Sequence, residues 1–229
     1  MSEIKERPIL FSAPMVRAIL ESRKTVTRRE VKKQAALDCL GAGFQPAFLA
    51  LAGNSDLCPY GKPGDRLWVR ETWGVINRDF DEHGNMVDWK PDRPASAIRE
   101  MRFGQGYHSG HVIYRADGEA LWVGYDDGGG DNLSAWKPSI HMPRIATRIL
   151  LEIPDVRVER LEEITGDQAE AEGVDAAMCQ LYLESSPSRF ECKEAVIHGF
   201  AGLWESINGA GAWDANPWVW VVEFKRETP

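Results

Sequence analysis

Short apolar runs with strand character are scattered from one end of this 229-residue chain to the other, with only brief helical stretches between them. A doubly wound parallel sheet alternates strands with full helices, so this pattern favours an α+β chain built on a small mixed barrel. Pro8 to Phe11 reads as a strand. Met15, Ile19 and Leu20 then recur at helical spacing behind Pro14, a residue suited to a helix's first turn. Thr25 to Val31 alternates β-branched and charged residues, as a half-exposed strand does. After a turn at Gly64-Asp65, Leu67, Val69 and Trp73 frame another strand. Val112 to Tyr114 and Leu121 to Tyr125 read as a hairpin, followed by the loose Asp126 to Asp131 segment, and Ile145 to Leu161 as one long strand region bent at Pro154. Thr165 followed by Gln168 is a capping-box pattern for a helix that stops at Gly173. Phe190 to Ile207 predicts a further helix, and Trp218 to Phe224 a closing strand.

Two stretches interrupt this series. Ala35 to Gly53 is broken by Asp38, Gln45 and Pro46, and reads as a surface insertion covering part of the core. Residues 78 to 111 are polar and show no sustained period, which predicts a lid or a poorly ordered segment. With no internal repeat and no clear linker, the chain reads as one domain, 1–229, with insertions at about 32–60 and 78–140.

Composition narrows the function. Hydrophobic residues make up 43% of the chain, enough for a packed core. Met1 to Phe11 lacks the apolar stretch of a signal peptide, and no run reaches the roughly 18 apolar residues of a membrane helix, so a cytoplasmic protein is expected. Cys39, Cys58, Cys179 and Cys192 form no C-x-x-C pair and read as reduced thiols. His108 and His111, among Gly104, Gly106 and Gly110, read as a polar loop without a third metal ligand nearby; neither metal nor cofactor is expected.

The net charge of −8 argues against coating nucleic acid by bulk electrostatics. Its distribution is uneven, with a local +5 from Arg23 to Lys33 and a local −7 from Glu152 to Asp175. That predicts either a basic patch for a polar or anionic ligand, or two stretches that neutralise each other in the fold.

The basic stretch contains Arg23-Lys24-Thr25-Val26-Thr27-Arg28-Arg29 at a helix-to-strand junction. Arg28 and Arg29 would disfavour a third positive charge and lower the pKa of Lys24, and a neutral lysine can activate a hydroxyl such as that of Thr27. On the spacing alone, a solvated basic face is the default reading. This stretch, with Ile9-Leu10-Phe11 before it, resembles the amino-terminal signature of ASCH domains. Gly64-Asp65-Arg66-Leu67-Trp68-Val69, Gln168-Ala169-Glu170-Ala171-Glu172-Gly173 and Trp218 to Phe224 resemble that family's later blocks, in order. The length and the Trp136-to-Pro143 segment are similar to prophage-encoded members.

The resemblance implies a PUA-like mixed β-barrel with short flanking helices and long insertions. It implies, from some members, an amidohydrolase acting without metal on N4-acylated cytidines. The family's catalytic lysine, threonine and glutamate fall on Lys24, Thr27 and Glu172, and its pocket arginine on Arg29. Substrate contacts are expected from Arg28 and Arg29, from Glu71 if no structural pair with Arg66 or Arg70 claims it, from Trp136 stacking on a base, and from His141. The partner would be a modified nucleoside or single-stranded nucleic acid. An RNA- or DNA-binding module using the same cavity is the alternative, and a ribonuclease the third choice. Lys24 separates the first two, because a catalytic lysine is buried with a lowered pKa while a phosphate-binding one stays exposed and charged.

Overall fold

The computed structural model describes residues 3–120, 136–175 and 192–227. The expected hairpin strand at Leu121 to Tyr125, the Asp126 to Asp131 segment and Cys179 lie outside the described residues. The chain divides into two compact units, one comprising Met1–Arg7, Ala18–Leu67 and Leu151–Pro229, the other Pro8–Arg17 and Trp68–Leu150.

The strands of the first unit belong to a five-stranded sheet. Its strands are β1 (Glu6–Leu10), β2 (Val26–Glu30), β3 (Arg66–Arg70), β9 (Leu150–Arg160) and β10 (Trp218–Arg226), in the order β1-β3-β9-β10-β2. The closing strand β10 is an interior strand, antiparallel to both β9 and β2. Its near-continuous apolar run follows from burial on both faces, with Val219, Trp220, Val221, Val222 and Phe224 all buried. Pro154 has no N–H to give, and the β9–β10 register shifts beside it, so a bulge absorbs the missing donor.

One face of the sheet carries Val26, Val219 and Val221 against α4 (Gly166–Ala171) and α5 (Cys192–Asn208), through Ala169, Ala195, Val196, Phe200 and Trp204. The capping box at the start of α4 is present in full, with the Thr165 side chain accepting from Gln168 N and the Gln168 side chain from Thr165 N. The stretch expected as a surface insertion forms α2 (Gln34–Gly41) and α3 (Pro46–Leu49), which bury Ala36 and Leu49. The Gly64-Asp65 turn has a mechanical role. The buried Asp65 carboxylate accepts from Lys5 N at 3.1 Å and Lys62 N at 3.3 Å, while Gly64 N and Asp65 O pair with Ile153.

In the second unit β4 (Trp73–Ile76), β8 (Gly106–Tyr114) and β7 (Ser96–Phe103) form a three-stranded antiparallel sheet, and β5 (Arg78–Phe80) pairs with β6 (Met86–Asp88). The expectation of a lid or disordered segment over 78–111 is therefore corrected to strands. A bulge between Ile98 and Met101, with Glu100 at φ 50°, breaks the two-residue period that would have revealed β7. His108 and His111 sit on β8, not in a loop. Trp73, Met101, Val112, Tyr114, Met142 and Ala146 make this unit's core. The sequence strand framed by Leu67 and Trp73 is two strands, β3 and β4, separated by Glu71 and Thr72. The chain is thus α+β with several sheets, none closed into a barrel among the described residues. No helix among them is long and apolar enough to cross a membrane.

Candidate functional site

The site grows from the junction that follows α1 (Ala13–Leu20). Ser22 takes φ 61°, and both Arg23 N and Lys24 N bond back to Ala18 O, so the chain turns sharply and delivers Lys24 to the start of β2. From the other direction α4 ends at Glu172, and Gly173 holds φ +85°. A methyl group at Gly173 would stand 3.0 Å from Ala18 Cβ and 3.1 Å from Lys24 Cβ, so the close approach requires glycine. Thr25 N closes the junction by donating to Ala171 O at 2.8 Å.

These two ends bring Lys24 and Glu172 together. Lys24 is 2% exposed, and its Nζ donates to Glu172 Oε2 at 2.6 Å, to the Glu172 carbonyl at 2.8 Å and to the Val26 carbonyl at 2.9 Å. Thr25 O accepts from Phe224 of β10, so by strand alternation the Val26 carbonyl points away from β10. The ammonium therefore stands at the free edge of β2.

Successive β2 side chains then fall on either side of it. Arg28 takes the Val26 face. There its guanidinium reaches Glu172 Oε1 at 3.3 Å, Glu159 Oε1 at 2.5 Å and Gln168 Oε1 at 2.9 Å. Thr27 and Arg29 take the opposite face, with their buried register partners Val222 and Trp220. Thr27 is itself buried, at 2% exposure.

Electrostatics follow from this placement. Burial is the main influence on Lys24 and pushes its pKa below the ordinary lysine value. The Glu172 carboxylate opposes that shift, and the charges of Arg29 and Arg28 reinforce it. The basic and acidic stretches of the sequence thus meet in Lys24, Arg28, Glu159 and Glu172. Arg28, expected among the substrate contacts, uses its guanidinium to hold Glu172. Its partners Glu159 and Gln168 were not singled out for this role in the sequence, although Glu159 belongs to the acid-rich stretch and Gln168 to the capping box.

No family model, curated protein or solved structure matches the chain.

The remaining expected contacts belong to the second unit. Glu71, 1% exposed, pairs with neither Arg66 nor Arg70 but with Arg148, in a two-pronged contact of 2.9 Å on each side. Arg148 also donates to Asp117 Oδ2 at 2.6 Å and lies 3.9 Å over the Tyr114 ring. Burial raises the Glu71 pKa despite Arg148. Trp136 is half-buried with Arg115 5.8 Å from its ring centre, and His141 is exposed at the end of a short 3-10 turn, Ser139–His141. Among the described residues no group of three or more His, Cys, Asp and Glu side chains could hold a metal ion.

Proposed function

We propose that the chain is a PUA-like domain of ASCH type that hydrolyses an amide on a modified nucleoside or nucleobase, of the N4-acylcytidine kind. The observation that carries this reading is a buried lysine with a lowered pKa, 2.6 Å from a carboxylate and three residues before a buried threonine on an edge strand. A lysine meant to hold phosphate gains nothing from such burial, whereas one meant to serve as a base does.

The chemistry balances with these residues. Burial lowers the Lys24 pKa, and with its proton lost Nζ carries a lone pair, oriented by Glu172. Thr27 Oγ1 then attacks the amide carbonyl carbon while its proton moves to Lys24. The C–N bond breaks, and that proton leaves with the amine. Water then cleaves the threonine ester with Lys24 again as base, releasing the acid and restoring the hydroxyl. Arg29, on the Thr27 face of β2, suits the developing oxyanion. Arg28 is a positioning residue, because it holds the second carboxylate oxygen of Glu172.

The test is incubation of wild-type protein with N4-acetylcytidine, followed by chromatography for cytidine and acetate. Release of both supports the hydrolase. No turnover, together with oligonucleotide binding that weakens steeply with salt, would replace it with the binding-module reading.

A further inference from the structure

Arg28 stands between two carboxylates, and the hydrolytic step uses only one of them, Glu172. The strand register explains how the second arrives. Val221 of β10 pairs with Arg28 of β2 on one side and with Arg157 of β9 on the other, so both arginines lie on the face of the sheet that packs against α4 and α5. The apolar Val221 holds them apart. Glu159, two positions along β9 on the same face, reaches both. Its Oε1 accepts from Arg28 at 2.5 Å and its Oε2 from Arg157 Nε at 3.2 Å. Arg157 in turn donates to Glu223 at 2.6 Å and to Asp155 at 3.2 Å. Charges thus alternate from the half-exposed Glu223, through Arg157, Glu159, Arg28 and Glu172, to the buried Lys24.

The distances divide Arg28 unequally. Its guanidinium is 2.5 Å from Glu159 but 3.3 Å from Glu172, whereas Lys24 is 2.6 Å from Glu172. Without the Glu159 charge, Arg28 and Lys24 would both depend on the Glu172 carboxylate, and two buried cations would compete for it. We propose that Glu159 is a positioning residue for the reaction: it draws Arg28 away from the Glu172 carboxylate and so leaves that carboxylate to orient Lys24. This rests on the hydrolase reading above. The charged groups that bear on Lys24 are Glu172 at the end of α4 and Arg29 and Arg28 on β2. Glu159, on β9, acts through Arg28.

The test reads Lys24 itself. Its side chain is titrated by carbon NMR at Cε in wild type and in Glu159→Gln, a change that keeps the size of the residue and removes its charge. The titration is expected to move to lower pH in Glu159→Gln, because an unbalanced Arg28 disfavours a proton on Lys24. The rising limb of kcat/KM on N4-acetylcytidine should move with it, and kcat should fall about tenfold, a fraction of the roughly 10² or more that the base itself supplies. A merely structural role predicts the opposite sign, since a loosened site lets water reach Lys24 and returns it upwards towards its ordinary value. That result, or no movement, overturns the proposal. Should Glu159→Gln fail to fold, Glu159→Asp keeps the charge but draws it back from Arg28, and the same downward movement is expected; its absence overturns the proposal equally. Downward movement in a protein whose wild type releases no acetate would sink the hydrolase reading and leave the linkage of Glu159 to Lys24 standing. Turnover with an unmoved titration would do the reverse.

Discussion

Lys24 Nζ and Glu172 Oε2 lie 2.6 Å apart although 148 positions separate them in sequence, and both side chains are almost wholly removed from solvent. The contact ties the start of β2, an edge strand, to the end of α4. Two cations and two carboxylates meet here, since Arg28 bonds to both Glu172 and Glu159. Breaking one partner of such a group strands a buried charge. Glu172→Ala is therefore expected to cost about 3–5 kcal/mol in urea unfolding, and Lys24→Met with Glu172→Leu together considerably less than the two single changes summed. Full additivity would mean that the two side chains do not interact in solution.

Turnover should respond differently. Lys24→Ala and Thr27→Ala are each expected to lower the rate on N4-acetylcytidine by about 10² or more, and the double variant should be hardly worse than either. Independent, multiplying losses measured by initial rates would show that the two residues do not form a base–nucleophile pair.

The lowered pKa of Lys24 fixes two signs. Activity should rise with pH through the lysine's own pKa, below its ordinary 10.5, and Lys24→Arg should remove that limb from the kcat/KM profile along with most activity. Between the lowered value and 10.5 the folded protein holds fewer protons than the unfolded chain, so stability should climb with pH there. The comparison is with Lys24→Met, whose stability lacks this slope. A wild-type slope of opposite sign would mean that Glu172 outweighs burial and holds Lys24 charged.

Much of this first unit was legible because local signals agree with the fold. The capping box announced α4, Pro14 announced α1, and alternation announced β2. The meeting of Lys24 with Glu172 was reachable only through the motif resemblance, since no local rule joins residues so far apart. Strand β7 was hidden for a physical reason: the bulge near Glu100 destroys the period by which a strand is recognised. Glu71 was assigned to neighbours in sequence, Arg66 or Arg70, yet Arg148 reaches it. Buried ion pairs follow topology, and sequence distance says little about them.

The junction geometry gives a prediction at Gly173. Gly173→Ala adds a methyl group 3.1 Å from Lys24 Cβ on a backbone at φ +85°. The left-handed backbone alone costs about 1–2 kcal/mol for a residue with a β-carbon, and the contact adds to it. The variant should lose stability by at least that amount in urea unfolding. It should also lose turnover under conditions where it remains folded, because Lys24 must move. A stability loss with full activity would show that the Lys24 position is not critical.

The second unit supplies an independent test of how burial competes with pairing. At Glu71, burial raises the pKa above the ordinary 4.5, and the two-pronged contact with Arg148 works against that rise. With burial the larger influence, the folded protein holds this proton more tightly than the unfolded chain does. The resulting stabilisation is full below about pH 4.5 and is lost as pH rises through the folded-state value. Acidification from neutral pH towards that range should therefore raise the stability of wild type relative to Glu71→Gln, measured by denaturant unfolding of both proteins at each pH. If instead the difference falls on acidification, the Arg148 pair dominates and the carboxyl is held below its ordinary range. Arg148→Met provides the control. With the opposing cation gone, burial and the neighbouring Asp117 act alone on Glu71, so the acid-side gain should grow and move to higher pH.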